Sequence, residues 1–243
     1  MEQFARTERL LGREGVEKLQ KARVAVFGVG GVGGYAAEAL ARSGVGALDL
    51  YDCDRVAPSN LNRQIIALHS TLGQEKGDVM AARVRDINPA CAVTAHSLFY
   101  MPERAAEVDF AAFDTIVDCI DTVTAKLDLI CQAYRRNIPI ISAMGAGNRL
   151  DPTKLRVGDI FETQNCPLAR VMRRELRKRG VPGLRVVYST DPAMPHDAPA
   201  DGESPADENP SQTRRDTPGS MVFVPAAMGM ILASVAVRAL AGK

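Results

Sequence analysis

The stretch that decides the fold is ARVAVFGVGGVGG, residues 22–34. Residues 24–29 form a short apolar run rich in valine, which is typical of a buried strand in a parallel sheet. The glycines that follow match the spacing G-x-G-x-x-G, and the alanine-rich segment after them predicts a helix that ends at Gly44. The pattern therefore predicts a strand, a tight turn and a helix, the unit from which open α/β sheets are built.

Strands alternate with helices along the first 150 residues. Apolar runs predict strands at 47–51, 92–98, 115–119 and 139–143, and periodic segments predict helices at 1–22, 75–88 and 122–137. Such alternation implies a Rossmann-like, mostly parallel sheet with helices on both faces. We expect residues 1–150 to form the main domain and residues 151–243 to form a smaller C-terminal extension packed on the same core.

The C-terminal extension contains segments of different character. Residues 155–160 and 186–189 predict strands, and residues 167–179 predict a basic helix. Residues 191–218 hold six prolines and many acidic residues, so we expect a flexible loop there. Residues 221–237 carry no charge over 17 positions, which favours a buried or subunit-interface helix and leaves peripheral membrane contact as the alternative.

Composition excludes several classes of protein. The 243 residues carry 30 basic and 29 acidic side chains, so the net charge of +1 excludes a general polycation but is compatible with a local basic patch. Five cysteines without a C-x-x-C pair and only three histidines argue against a disulfide scaffold, a cysteine-rich zinc site and a multi-histidine metal centre. The charged N-terminus lacks an apolar signal core, which predicts a cytoplasmic protein.

The glycine turn predicts a nucleotide site. Gly28, Gly30, Gly31 and Gly33 let the backbone approach a phosphate closely, and the helix N-terminus offers free N–H groups to it. Asp52 follows the second strand, 19 residues after Gly33, where its carboxylate can accept hydrogen bonds from ribose hydroxyls. These features predict a nucleotide with a ribose and phosphates, and they leave open whether it is a dinucleotide or ATP. A tight turn without a ligand is the alternative.

The polar segment after the second strand favours ATP. It reads DCDRVAPSNLNRQ, residues 52–64, and a typical NAD site does not need these polar side chains. Arg63 and Lys76 can converge on the phosphates and stabilise charge that develops during displacement. Asp121 follows the fourth predicted strand, where its carboxylate can hold Mg²⁺. Taken separately, each residue has a structural alternative: an ion pair for Arg63, a solvated helix end for Lys76 and a helix cap for Asp121.

Four motifs resemble the adenylation domain of ubiquitin-activating-like enzymes. They are GVGGVGG, the D-x-D-x-V-x-x-S-N-L-N-R-Q segment, the G-Q-x-K before the third helix and the DCID turn, and the resemblance covers residues 4–150. It implies that a carboxylate attacks the α-phosphate of ATP, giving an acyl-adenylate and pyrophosphate. It also implies a homodimer in which Arg9 enters the partner's site. The residues that it places around the nucleotide, its phosphates and the metal are Gly31, Asp52, Asn60, Arg63, Gln64, Lys76 and Asp121.

Further stretches resemble one branch of that superfamily, the tRNA threonylcarbamoyladenosine dehydratases. They include AAEALARSGVGAL, RVRDINPAC and CPLARVMRRELRKRG, and they extend the resemblance to residue 190 and over the C-terminal helix. The branch implies that the activated carboxylate belongs to N6-threonylcarbamoyladenosine in tRNA and that ring closure removes water overall. The alternative branch activates the C-terminal glycine of sulfur-carrier or ubiquitin-like proteins. Many of its members carry two C-x-x-C zinc pairs, which this sequence lacks. A sulfur-transfer partner of the cysteine-desulfurase type stays open.

The predicted basic helix carries arginines on one stripe. Arg170, Arg173, Arg174 and Arg177 follow the spacing i, i+3, i+4, i+7, which suits contacts with RNA phosphates, and a merely solvated surface is the alternative. Cys166, just before this helix, is a candidate nucleophile, although a structural role at the start of the helix is favoured. An NAD-dependent oxidoreductase and a non-catalytic binding protein complete the alternative functions.

Overall fold

One seven-stranded sheet organises the chain, of which the computed structural model describes residues 2–195 and 218–243. The strands are β1 (Arg23–Phe27), β2 (Ala47–Tyr51), β3 (Ala92–His96), β4 (Thr115–Asp118), β5 (Ile140–Ala143), β6 (Leu155–Asp159) and β7 (Arg185–Ser189). Their order across the sheet is β3-β2-β1-β4-β5-β7-β6. Neighbouring strands run parallel except β6, which is antiparallel to β7. The predicted fold class, a mostly parallel α/β sheet, is confirmed.

Six α-helices cover the sheet within the described residues. They are α1 (Ala5–Lys21), α2 (Gly33–Ser43), α3 (Lys76–Ile87), α4 (Val123–Arg135), α5 (Pro167–Lys178) and α6 (Phe223–Ala241). Gly44 ends α2 in the left-handed conformation, with φ of 91°, as the sequence predicts. The predicted strands and helices are present with ends shifted by a few residues. Short 3₁₀ helices in the connections, such as Pro102–Glu107, follow no pattern that predicts them.

The order of the strands creates a crevice between β1 and β4. The chain runs outward from β1 through β2 to β3 and then returns to β4 on the other side of β1. Because parallel strands place their carboxyl ends along the same edge, the segments that follow β1, β2, β4 and β5 meet there. Open α/β sheets bind ligands at this kind of edge, and the glycine turn lies on it.

The last helix, α6, belongs to the main core. Val224, Met228 and Leu232 join the apolar cluster formed with β1, β2 and α2. A Cβ atom at Gly229 would overlap the carbonyl oxygen of Val32, so glycine lets α6 lie directly against the start of α2. By length and composition α6 could cross a membrane, but 44% of its apolar window is buried in the protein. The C-terminal extension therefore shares a core with the first 150 residues, while a domain boundary at residue 150 stays a prediction.

The predicted flexible loop, 191–218, lies mostly outside the described residues, which omit 196–217. Met194 N–H, inside the segment, donates to the carbonyl oxygen of Asn148 at 2.9 Å. Asn148 N–H donates to the carbonyl oxygen of Gly219, just after the segment, at 2.7 Å. Both ends of the segment therefore lie against the loop that follows β5.

Candidate active site at the glycine turn

The glycine turn connects β1 to α2 and needs glycine at two positions. Gly28 has a left-handed φ of 84°, and a Cβ atom there would lie 2.9 Å from the carbonyl oxygen of Cys119. A Cβ atom at Gly33 would overlap the carbonyl oxygen of Gly28. Glycine at these positions lets the turn pack against the end of β4 and lets α2 begin close to β1.

Arg63 and Gln64 lie beside the turn. A Cβ atom at Gly30 would lie 3.8 Å from Gln64 Nε2, and one at Gly31 would lie 3.5 Å from Arg63 Cγ. The same Cβ atom at Gly31 would lie 3.4 Å from the Cβ atom of Pro225, near the start of α6. The structure therefore brings together the glycines and two of the polar residues that the sequence places in one site.

Asp52, which follows β2, is fastened to the glycine turn. Its Oδ2 atom accepts a hydrogen bond from Val29 N–H at 2.6 Å, and its Oδ1 atom accepts one from Asp54 N–H at 2.9 Å. Burial raises the pKa of Asp52, against the opposing effects of Lys76 and of the two N–H groups. Each carboxylate oxygen keeps a further lone pair, so Asp52 can still accept a hydrogen bond from a ribose hydroxyl.

Lys76, the first residue of α3, is held by Asp54. Its Nζ atom donates to Asp54 Oδ2 at 2.8 Å, and its side chain is only 7% exposed. Its backbone N–H donates to the carbonyl oxygen of Asp54 at 2.9 Å. A solvated helix end does not describe this ammonium group. Asp54 is a site residue that the sequence reasoning missed, although the D-x-D pattern at 52–54 contains it.

Arg63 has no carboxylate partner among the described residues. Its Nη1 atom donates to the carbonyl oxygen of Ser59 at 2.8 Å and to Asn62 Oδ1 at 3.1 Å, and both acceptors are uncharged. Burial lowers the pKa of Arg63. A half-buried guanidinium with neutral partners attracts an anion, so the geometry favours a phosphate contact over the ion-pair alternative.

Asn60 and Gln64, both buried, differ in their availability to a ligand. Asn60 Oδ1 accepts the Ala57 N–H at 3.1 Å and so shapes the loop before Arg63. Gln64 Oε1 has no hydrogen-bond partner within the described part of the chain. Buried polar atoms are normally paired, so an unpaired one beside the glycine turn is suited to a ligand hydrogen bond.

Asp121, in the turn after β4, is exposed at the same edge of the sheet. The Thr122 hydroxyl donates to its Oδ1 atom at 3.4 Å. Residues 2–195 and 218–243 contain no group of three His, Cys, Asp or Glu side chains arranged to hold a metal ion. Mg²⁺ at nucleotide sites commonly uses one or two carboxylates together with phosphate oxygens. A single accessible carboxylate at this position therefore fits the expected ion.

Two buried ionic groups near the site lack a sequence signal. Lys126 Nζ donates to Asp118 Oδ2 at 2.7 Å, and the Ser142 hydroxyl donates to the same oxygen at 2.6 Å. Arg149, in the loop after β5, is 4% exposed, and its Nη2 atom donates to the carbonyl oxygen of Asn165 at 2.7 Å. The Nε and Nη1 atoms of Arg149 have no partner among the described residues. Packing of distant segments creates both groups, so spacing along the chain does not reveal them.

Arg9 lies on the exposed first part of α1 and is not joined to the site within the described chain. The helix is interrupted at Gly12, which has a φ of 75°. The neighbouring Leu10 is 83% exposed. An exposed arginine beside an exposed leucine is compatible with a subunit contact, and the homodimer stays a prediction.

Two of the predicted RNA-binding arginines on α5 contact the segment that precedes the helix. Arg173 Nη1 donates to the carbonyl oxygen of Thr163 at 2.7 Å and also contacts the Thr163 hydroxyl. The Arg177 guanidinium lies over the ring of Phe161, 5.0 Å from its centroid. These contacts join α5 to the segment before it, so the stripe is in part structural.

The other two arginines of the stripe differ in their freedom. Arg174 Nε pairs with Glu175 Oε1 at 3.1 Å. Arg170 is exposed and has no ion pair or side-chain hydrogen bond within the described part of the chain. Of the four predicted positions, Arg170 is therefore the most available to an RNA phosphate.

Cys166 caps the start of α5. Its Sγ atom accepts the Ala169 N–H at 3.5 Å, and the residue is 5% exposed. A buried thiol that caps a helix fits the structural role better than the role of a nucleophile.

The fold and the site together define a nucleotide-binding α/β protein in which cations lie beside the phosphate-binding turn. The chain belongs to the ThiF family, which it matches over residues 4–243. It is 42% identical over 233 residues to the tRNA threonylcarbamoyladenosine dehydratase of Bacillus subtilis, a match that covers 96% of this chain and 92% of that protein. The protein of the same name from Escherichia coli is 37% identical over 198 residues, 78% of this chain and 74% of that protein.

A solved structure supports the same relationship. The crystal structure of E. coli tRNA N6-threonylcarbamoyladenosine dehydratase in complex with ATP matches with a TM-score of 0.86 and 34% sequence identity, covering 100% of this chain and 95% of that chain. By comparison, the adenylyltransferase and sulfurtransferase uba4 of Aspergillus niger is 37% identical over 133 residues, 55% of this chain and 27% of that protein. The similarity to the dehydratases is thus the more extensive of the two.

Proposed function

We propose that this protein is an ATP-dependent dehydratase that cyclises N6-threonylcarbamoyladenosine in tRNA. The observation that carries this proposal is the match, over nearly the whole length of both chains, to tRNA threonylcarbamoyladenosine dehydratases. The glycine turn with Arg63 beside it supplies a phosphate site that suits ATP. Adenylation of a sulfur-carrier or ubiquitin-like protein has weaker support, because the relatives of that type match this chain over a shorter region.

The reaction consists of two displacements. A carboxylate oxygen of the threonylcarbamoyl group attacks the α-phosphorus of ATP, and pyrophosphate leaves. A nitrogen of the same nucleoside then attacks the activated carboxyl carbon and loses its proton, and AMP leaves. Because this nitrogen belongs to the same molecule, its effective concentration is high and no thioester with the enzyme is needed. The nucleoside loses the elements of water overall.

The residues of the crevice bind ATP and stabilise the charge that develops on its phosphates. Asp52 accepts hydrogen bonds from the ribose, and the glycine turn surrounds the phosphates. Arg63 donates to the α-phosphate oxygens, on which negative charge increases during the first displacement. Lys76, which Asp54 holds at the end of β2, adds a second positive charge. Mg²⁺ held by Asp121 supplies further neutralisation of the phosphates when it is bound.

The remaining assignments concern the partners of the protein. The tRNA contacts the exposed face of α5, where Arg170 offers the most available charge. Arg173, Arg174 and Arg177 add positive charge to the same face. The protein acts in the cytoplasm as a homodimer, and Arg9 of each subunit enters the site of the other. Burial of much of α6 in the core favours a folding role for this helix over membrane contact.

Nucleoside mass spectrometry tests the function directly. Purified protein with ATP and Mg²⁺ is incubated with tRNA that carries threonylcarbamoyladenosine, and unmodified tRNA serves as the matched control. We expect AMP, pyrophosphate and the cyclised nucleoside with the modified tRNA only. Pyrophosphate exchange with a small protein ending in Gly-Gly, together with none on modified tRNA, would replace the proposal by the sulfur-carrier alternative.

A further inference from the structure

A buried ionic cluster lies beneath the turn that carries Asp121, and the reaction steps above do not use it. Asp118, the last residue of β4, accepts hydrogen bonds from Lys126 Nζ at 2.7 Å and from the Ser142 hydroxyl at 2.6 Å. Lys126 Nζ also donates to Ser142 Oγ at 3.1 Å. All three residues have no exposed surface. The cluster joins β4, α4 and β5 directly below the carboxyl edge of the sheet.

Stability alone does not account for this cluster. Removing two charges from water is costly, and apolar replacements of similar volume often leave a protein as stable as a buried ion pair does. Of the thirteen ion pairs found in the described part of the chain, the Lys126–Asp118 pair is the one in which neither side chain has exposed surface. In the Arg23–Asp49 pair, by contrast, the Arg23 side chain is 41% exposed. A complete burial of both charges next to the crevice calls for a role in the site.

The geometry of the turn supplies that role. The second carboxylate oxygen of Asp118, Oδ1, accepts the backbone N–H of Ile120 at 3.1 Å. One carboxylate thus anchors Lys126 on one side and the backbone of residues 119–121 on the other. The same turn packs against the phosphate-binding loop, since a Cβ atom at Gly28 would lie 2.9 Å from the carbonyl oxygen of Cys119. The orientation of Asp118 therefore determines where the glycine turn and Asp121 stand relative to each other.

We propose that the buried side chain of Asp118, through its hydrogen bond to the Ile120 N–H, positions the turn at 119–121 and thereby orients Asp121 toward the phosphates of the nucleotide. Lys126 supplies the counter-charge that lets the Asp118 carboxylate stay buried, and it touches neither substrate nor metal, so Asp118 is the positioning residue. Outer partners of this kind commonly change metal affinity by about 10- to 100-fold when they are removed. The inference rests on the proposed function in one respect, because it takes Mg²⁺ at Asp121 as part of the site.

The decisive variant replaces both charges, because Lys126→Met alone leaves the Asp118 carboxylate buried without a cation. In the double variant Asp118→Leu with Lys126→Met, called the Leu/Met variant, the new apolar side chains fill the buried space. The Ile120 N–H, however, loses the carboxylate oxygen that accepts its hydrogen bond. We expect the midpoint of thermal unfolding to stay within about 5 °C of the wild type. We expect ATP binding without Mg²⁺ to be unchanged and the strengthening of ATP binding by Mg²⁺ to fall about tenfold or more. Hydrogen exchange at the Ile120 amide, measured without nucleotide, should become faster.

A second paired variant separates geometry from charge. Asp118→Asn with Lys126→Met keeps a side-chain oxygen that can accept the Ile120 N–H, so we expect slow exchange at Ile120 and a wild-type effect of Mg²⁺. Loss of the Mg²⁺ effect in this variant, or its retention in the Leu/Met variant, overturns the inference. If the Leu/Met variant does not fold, loss of the Mg²⁺ effect in the Asn/Met variant still overturns the inference.

The wild type separates this inference from the proposed function. A protein that cyclises the tRNA nucleoside but shows no Mg²⁺ effect on ATP binding removes the inference and leaves the function in place. A protein that binds ATP more tightly with Mg²⁺ but does not act on tRNA removes the function and leaves the positioning role intact.

Discussion

The cations beside the glycine turn and the cations on α5 are of the same residue types but have different partners. Within residues 2–195 and 218–243, the hydrogen bonds of the Arg63 side chain go to uncharged oxygens, and burial lowers its pKa. On α5, Glu175 pairs with Arg174, Lys178 and Arg179 at distances of 3.1, 3.0 and 2.9 Å. These contacts lower the pKa of Glu175 to about 2. In the first region Lys76 pairs with Asp54, but Arg63 has no carboxylate partner among the described residues. In the second region, Arg174, Lys178 and Arg179 all share Glu175.

The difference teaches that the density of basic residues in a sequence does not measure the capacity to bind an anion. A half-buried cation without a counter-charge interacts strongly with an anion, since water screens it less. Exposed ion pairs are worth only about 0–1 kcal/mol each, so the cations of α5 lose little when they exchange Glu175 for a polyanion, and each exposed contact that they then make is also weak. We therefore expect the glycine turn to dominate catalysis and α5 to contribute a modest, salt-dependent attraction to tRNA.

The largest expected effect that tests this comparison comes from Arg63→Ala. We expect AMP formation on modified tRNA to fall by about 10²- to 10³-fold, because a donor to the developing phosphate charge is lost. Thermal unfolding should change little, since no carboxylate among the described residues loses its partner. The measurements are the initial rate of AMP release and the melting temperature of the same preparation.

Arg55→Ala is the matched control. Arg55 lies in the same loop, but its side chain is 63% exposed, pairs with Glu75 and donates to the carbonyl oxygen of Gly73 at 2.8 Å. We expect its removal to change the rate less than about threefold, as is usual for an exposed ion pair. Equal losses in the two variants would mean that the partners of an arginine do not decide its role here.

Much of the fold and part of the site follow from the sequence, because both rest on local patterns. The run 24–29 and the glycines after it specify a strand and a turn through backbone sterics alone. Arg63 and Gln64 come close to this turn because the segment that holds them follows β2, the neighbour of β1 in the sheet. Strand order and short connections therefore place these residues without further information.

The rest of the site depends on contacts between distant segments, which spacing does not predict. Lys76 meets Asp54 across 22 positions, and Arg173 meets Thr163 across 10. Asp118 looks like an ordinary strand residue until α4 brings Lys126 beneath it. The helical stripe of arginines on α5 is real, but the loop before the helix, which contains Thr163, determines which of its side chains are free.

A smaller effect separates two arginines within the stripe itself. Arg173→Ala removes a donor to the carbonyl oxygen of Thr163, so we expect a loss of about 1–3 kcal/mol in the free energy of unfolding. Arg170→Ala removes an exposed side chain, so we expect unchanged stability and a slope of log affinity for tRNA against log salt that is smaller by about 1. Denaturant unfolding measures the stability of each variant, and tRNA binding at several salt concentrations measures the slope. A loss of stability for Arg170→Ala, or none for Arg173→Ala, contradicts the division between free and structural arginines.

The smallest effect concerns Glu175, whose pKa lies at about 2 in the folded protein against an ordinary 4.5. Because the folded pKa is the lower one, this carboxylate stabilises the fold fully above pH 4.5, and its contribution is lost as the pH falls toward 2. The difference in unfolding free energy between the wild type and Glu175→Gln should therefore shrink as the pH falls from 4.5 toward 2. The same variant releases Arg174, Lys178 and Arg179, so at neutral pH we expect tRNA binding to strengthen and its salt dependence to steepen. Weaker binding would mean that Glu175 organises these cations for RNA rather than competing with it, and α5 would then resemble the glycine turn more closely than its ion pairs indicate.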